Sequence, residues 1–145
     1  MSMTELATIA GLIVLVVMVV VFLRLRRKDL VTEFMQKRKA TSKLVSRADY
    51  VEGMERIPVA ISLSDDTFYY ENPDLEASFE LGRIDEVEYG DELATGRTLD
   101  EPWRVMRLRC HGAAFEFVMD KNDCAKWMEV IPPRGMGERS TARAV

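Results

Sequence analysis

The sequence predicts an α+β protein: one N-terminal transmembrane helix, then a small antiparallel β-barrel or sheet capped by a C-terminal amphipathic helix. Three observations carry this reading. Leu6 through Leu23 is an uncharged run of 18 residues. From Gly53 to Met119, short apolar alternations of period two are separated by turn residues. A single stripe of helical period then follows Asp120 and stops at Pro132-Pro133. The 48% hydrophobic content of the 145-residue chain averages over regions of opposite character. Its length has room for one domain of about 85 residues beside the apolar run.

At 1.5 Å per helical residue the apolar run reaches about 27 Å, close to the hydrocarbon thickness of a bilayer. A soluble domain of this size could not cover such a rod on all sides. A cleaved signal peptide is the rival reading. Against it, Met1 to Glu5 holds no Lys or Arg, and no small-x-small site follows Leu23. Arg24, Arg26, Arg27 and Lys28 follow the run at once, and basic flanks stay in the cytoplasm. The expected placement is therefore the inner (plasma) membrane, single-pass, with the N-terminus outside and the C-terminal domain cytoplasmic. Residues 1–28 form the anchor and its basic stop.

Residues 29–52 read as a basic amphipathic neck helix. Leu30, Val31, Phe34, Met35, Thr41, Leu44, Val45 and Ala48 recur at three- and four-residue spacing, and no Pro or Gly interrupts Leu12 to Val51. From Arg24 to Arg47 nine basic residues face only Asp29 and Glu33. From Asp49 to Pro133 the balance reverses, with 20 acidic and 8 basic residues. The neck's stripe suits either packing on the domain or a partner helix, or lying on anionic lipid with Lys37, Arg38 and Lys39 among the headgroups.

Residues 53–133 read as the soluble domain. Val59, Ile61 and Leu63 alternate, Ser64-Asp65-Asp66 turns the chain, and Thr67 to Glu71 returns as a hairpin partner. After Asn72-Pro73-Asp74, Ala77, Phe79 and Leu81 alternate, and Ile84, Val87 and Tyr89 continue past Gly82 with a change of register that predicts a bend or bulge. A polar loop, Gly90 to Pro102, precedes a second hairpin, Trp103 to Cys110 and Ala113 to Met119, around His111-Gly112. Met106, Leu108 and Cys110 share one face and Arg107 and Arg109 the other. Asp120 is the predicted N-cap of the last helix, with Cys124, Trp127, Met128 and Ile131 on its inner side. Residues 134–145 are expected to be a disordered tail.

This order of elements resembles the bacterial pleckstrin-homology-like domains, related in shape to the GRAM group, over about half the chain. The residues carrying the resemblance are Val59 to Tyr70, Phe79 to Tyr89, the Phe115-x-Phe117 strand and Trp127. It implies a partly open barrel plugged by a helix and used for binding phosphoinositides or proteins. Phosphoinositide recognition in that family uses Lys and Arg in and beside the first hairpin loop, because phosphates need charge-assisted hydrogen bonds. Here that loop reads Ser64-Asp65-Asp66, which repels the headgroup.

No residues are equipped for catalysis. No general base neighbours a nucleophile in a recognisable motif, and no phosphate-cradling Gly loop occurs. His111, Cys110 and Cys124 lack metal-ligand spacing, and the two cysteines read as reduced core thiols. No cofactor or small-molecule substrate is expected, and the acidic domain disfavours nucleic acid. Asp85, Glu86, Glu88, Asp91 and Glu92 form the densest acidic patch, either a solvated face or a docking face for a basic protein surface. Of the adjacent Tyr69 and Tyr70 only one can face the core, and Tyr70 is taken as the docking candidate. The expectation is a noncatalytic adaptor or accessory subunit of a larger membrane protein complex, whether respiratory, photosynthetic or transport. The alternative is a lipid-surface sensor binding anionic lipid through Arg24, Arg26, Arg27, Lys28, Lys37, Arg38 and Lys39.

Overall fold

The computed structural model describes residues 1–135, apart from the side chains of residues 27–29. Helix α1 spans Met3–Lys39 without interruption. Ser2 caps it, accepting from the Glu5 N–H, while the Glu5 carboxylate accepts from the Ser2 N–H. None of its most apolar 18-residue window is buried, and it is long and apolar enough to cross a membrane.

Seven strands follow: β1 Leu44–Glu52, β2 Glu55–Ser64, β3 Thr67–Asn72, β4 Leu75–Glu80, β5 Ile84–Gly90, β6 Trp103–Cys110 and β7 Ala113–Asp120. Helix α2, Lys121–Val130, closes the order. The strands form one antiparallel sheet in the order β4-β3-β2-β1-β7-β6-β5. The protein is thus α+β, with an N-terminal apolar helix, a seven-stranded antiparallel sheet and a C-terminal helix.

The neck helix is shorter than the sequence pattern suggested. It ends at Lys39, the Lys43 N–H donates to the Leu63 carbonyl at 2.7 Å, and residues 44–52 are strand β1. The soluble domain therefore begins at β1 rather than at residue 53. Leu44 and Val45 suited a helical stripe because both are half-buried, but they sit on opposite faces of a strand that is covered on both sides. The β1–β2 hairpin, turning at Gly53-Met54, is consequently the first of the sheet, ahead of the turn at Asp65-Asp66. Gly53, at φ 61, supplies the left-handed backbone this turn needs.

The predicted change of register is present. A 3₁₀ turn, Leu81–Arg83, joins β4 to β5, and the β5–β6 pairing slips between Ile84 and Glu86. The second hairpin turns at His111-Gly112, both with positive φ, as a two-residue turn of this hand requires.

Alternation sends Val59, Ile61, Leu63, Phe68, Met106, Leu108, Phe117 and Met119 to one core. The sheet folds over this core: Phe79 of β4 lies 4.6 Å from Phe115 of β7, and Tyr70 of β3 lies 5.2 Å from Phe117. Helix α2, with Asp120 accepting from the Asn122 N–H at 2.8 Å, places Cys124, Trp127 and Ile131 on the core. The Trp127 indole N–H donates to Ser46 Oγ at 3.0 Å, and its ring meets Phe68 edge-on at 5.5 Å. Met128, assigned to the inner side by its spacing, is 40% exposed instead.

The outer face is covered as well. The C-terminal part of α1 packs on β1, β2 and β3, with Val31 buried. Ala60 and Ser62, the small outward residues of β2, are buried on that side. Over the other half of the sheet, Leu93 and Leu99 of the 91–102 loop pack with Val105, Val118 and Val51. The chain also continues in order past Pro133: Arg134 exchanges both backbone hydrogen bonds with Val87 at 3.0 Å. The remainder of the predicted tail, 136–145, lies outside the described residues.

The joint between α1 and the sheet rests on Arg38 and Glu71, which is 4% exposed. Arg38→Ala leaves that carboxylate buried without its partner and is expected to cost about 2–3 kcal/mol. Adding Glu71→Ala should recover part of the loss, because no unpaired charge then remains in the joint. Urea unfolding of the detergent-solubilised full chain measures both, and additive losses would show that the two groups are not coupled.

Candidate functional site

The basic neck, the acidic patch and the edge of α2 are three surfaces whose charged or apolar groups suit contact with another molecule. At the neck, Arg38 Nε and Nη2 donate to the two Glu71 carboxylate oxygens at 3.0 and 2.5 Å. The guanidinium also lies 4.2 Å from the centre of the Tyr69 ring. The hydrogen bond to Glu71 holds the Arg38 pKa above its ordinary value. Arg38 is thus a clasp between helix and sheet, and it is withdrawn from the set of lipid-facing residues read from the sequence.

Lys37 pairs with Glu33 at 3.8 Å and rides on the Phe34 ring, and Lys39 is exposed. Both lie about 21–24 Å beyond Leu23 along the helix, by the rise per residue. Arg24 and Arg26 are exposed, immediately beyond the apolar run. The side chains of Arg27 and Lys28 lie outside the described residues.

The acidic patch is largely engaged by its neighbour strand. The β5–β6 register sets Glu88 opposite Arg107 and Glu86 opposite Arg109. These pairs close at 2.7 and 3.0 Å. Arg107 also donates to Glu116 at 3.0 Å and to the Glu92 carbonyl at 3.0 Å. Glu116, buried on the outer face, accepts the Ala94 N–H at 3.0 Å, which ties down the 91–102 loop. The Arg107 hydrogen bond holds the Glu88 carboxyl below the usual carboxylate range. Asp85 accepts the His111 N–H at 3.2 Å, and Asp91 and Glu92 keep exposed side chains. The five carboxylates therefore do not act as one face: Glu86 and Glu88 are neutralised across the sheet.

Tyr70 is not available for docking. It is 5% exposed, surrounded by Tyr50, Phe79 and Phe117, and burial pushes its hydroxyl up to about 12. Its neighbour Tyr69 takes the outer face under Arg38. Exposed large apolar side chains occur instead around α2, where Met128 and Val130 are 40% and 38% exposed, and at the start of β6, where Trp103 is 45% exposed. A cleft of about 480 Å³ runs between α2 and the ends of β5 and β6, lined by Tyr89, Arg104, Lys121, Cys124 and Met128. Spacing hid this surface, since Met128 falls on the same helical stripe as Trp127.

The thiols of Cys110 and Cys124 are free and buried, and burial raises both pKa values, which keeps them protonated and unreactive. Tyr89 is held neutral in the same way, its hydroxyl donating to the Ile131 carbonyl at 2.6 Å. Among the described residues, no three His, Cys, Asp or Glu side chains come together in a way that could hold a metal ion. Compared with models of known families, with curated proteins and with solved structures, the chain matches none of them.

The Glu88–Arg107 pair predicts an acid-sensitive increment of stability. A depressed carboxyl stabilises the fold above the ordinary Glu value of about 4.3 and loses that contribution as pH falls through its lower folded value. Half-exposure of Glu88 limits the effect to at most about 1 kcal/mol. Glu88→Gln should therefore lower the thermal midpoint at pH 7, and the difference from the wild type should shrink as pH falls below the ordinary Glu value. A difference that does not change with pH would assign the effect to packing.

Proposed function

We propose that the chain is a noncatalytic, single-pass membrane adaptor that holds a pleckstrin-homology-like domain at the cytoplasmic membrane surface to dock on another protein of a membrane complex. The observation that carries this reading is the joint between anchor and domain. One helix passes from an apolar span with no buried residue into a packed contact closed by Val31, Arg38 and Glu71. A tether that served only to keep the domain near the membrane would need no such clasp. A clasp fixes the direction in which the domain's faces point, which a docking subunit uses.

The pleckstrin-homology-like reading is supported by the strand order, by the rings that bring β4 against β7, and by the C-terminal helix carrying Trp127 onto the core. Its first hairpin turn is flanked by Glu52 and Glu55, which argues against phosphoinositide binding as strongly as Asp65-Asp66 did. The docking surface best supported is the edge of α2 with Trp103, because exposed aromatic and thioether side chains beside a cleft are what protein interfaces bury.

A sensor of anionic lipid is less well supported. Arg38 is taken up internally, and Lys37 and Lys39 stand about two Debye lengths beyond the end of the apolar run. Arg24 and Arg26, as flanking charges, set orientation.

Gentle detergent purification of the tagged full-length chain, with mass spectrometry of stoichiometric companions, tests the adaptor reading. A defined membrane complex is expected, and Met128→Glu with Trp103→Ala should release it while leaving the thermal midpoint within a few degrees of wild type. A chain that purifies with lipid alone would overturn the reading.

A further inference from the structure

The fold leaves a second cleft where the anchor helix meets the sheet. Its volume is about 560 Å³, within the usual range of ligand sites. Its apolar lining includes Leu23 and Leu30 of α1, Ile57 of β2 and Leu75 of β4. Arg26 lines it from the helix, and Glu52, Glu55 and Asp74 line it from the β1–β2 and β3–β4 turns. Among the described residues none of these four charged side chains makes an ion pair, in contrast to Arg38, Arg104, Arg107 and Arg109. Leu23 is also the last residue of the uncharged run, so the cleft opens at the level where that run ends.

We propose that this cleft seats one phospholipid whose headgroup carries a primary amine, a phosphatidylethanolamine. The inference rests on the reading of α1 as a membrane span. Arg26 faces the phosphate and the three carboxylates face the ammonium group, while the apolar lining takes the glycerol end and the first acyl carbons. The charges select among headgroups. A purely anionic lipid brings no cation for three carboxylates, and choline brings a cation that cannot donate hydrogen bonds, whereas a primary ammonium donates three. The occupant would link the β1–β2 and β3–β4 turns to the anchor, at the opposite end of the joint from Arg38 and Glu71. It would set the domain's tilt on the membrane.

The test uses the full-length chain reconstituted in nanodiscs of phosphatidylcholine doped with equal amounts of phosphatidylethanolamine and phosphatidylglycerol. Native mass spectrometry then reads the lipid retained after release. Phosphatidylethanolamine is expected to be retained about tenfold over phosphatidylcholine, the effect of one additional charge-assisted hydrogen bond. Glu52→Gln with Glu55→Gln and Asp74→Asn should bring that ratio to about one, and Arg26→Gln should lower retention of all three lipids. The carboxylates are exposed, so an unchanged thermal midpoint shows that the variants fold. Equal retention of the three lipids by the wild type, a preference for phosphatidylglycerol, or a ratio indifferent to the carboxylate variants would overturn the proposal. Alkaline carbonate extraction of native membranes separates the two failures: a chain released by carbonate refutes the membrane span itself, and a chain that stays but retains lipids equally refutes only the cleft.

Discussion

The architecture depends on a convergence of aromatic rings on Phe68. This residue, fully buried on β3, meets Tyr70, Phe79, Phe117 and Trp127, with centroids 5.3–6.5 Å apart. These rings come from β3, β4, β7 and α2: β3 and β4 at one edge of the sheet, β7 on the far side of β2 and β1, and a helix beyond the sheet. A flat sheet of seven strands would leave them apart; only folding the sheet over the Phe68 side buries them together. The small Ala48 and Ser46 of β1 lie on the same inner face, and Ser46 Oγ satisfies the Trp127 indole. The position of α2, and with it the exposed surface of Met128 and Val130, follows from that one anchored ring.

The outer face presents the opposite problem, because an antiparallel sheet of this size can leave one side to water. Here both halves are covered. The end of α1 takes β1 to β3, where β2 offers the small Ala60 and Ser62, and the 91–102 loop takes β6 and β7 through Leu93 and Leu99. Each cover is fastened by a charged clasp, Arg38 with Glu71 in one case and Arg107 with Glu116 in the other. A pair of this kind gains little over apolar packing, but it is intolerant of misalignment, so it sets register and orientation.

Charge is redistributed by the same contacts. The domain's acidic excess suggests a strongly negative face, yet the arginines of β6 stand opposite the glutamates of β5 and neutralise its centre. Among the described residues, carboxylates without an ion pair stand at the turns beside α1, Glu52, Glu55 and Asp74. Among the described residues beyond α1, the exposed large apolar side chains are Trp103, Met128 and Val130 at or near α2 and Met54 at the β1–β2 turn. Interaction is therefore favoured at the ends and edges of the sheet rather than on its covered faces.

The long apolar run, the period-two strands from Val59 onward, the turns at Asp65-Asp66 and His111-Gly112 and the Asp120 cap were all legible in the sequence, because each is a local signal within a few residues of chain. Local spacing misassigned residues 44–52 and Met128, since a strand buried on both faces or a helix with a broad apolar side satisfies more than one period. The partners of Arg38, Glu86, Glu88 and Tyr70 were invisible for a different reason. Each is chosen by strand register or by a contact between elements distant in the chain, Arg38 and Glu71 being 33 residues apart. The sequence by itself determined most of the elements, β1 excepted, and that one of them is apolar enough to cross a membrane. Tertiary structure alone decided which charges remain free to act, because a side chain is available only after packing has chosen its neighbours.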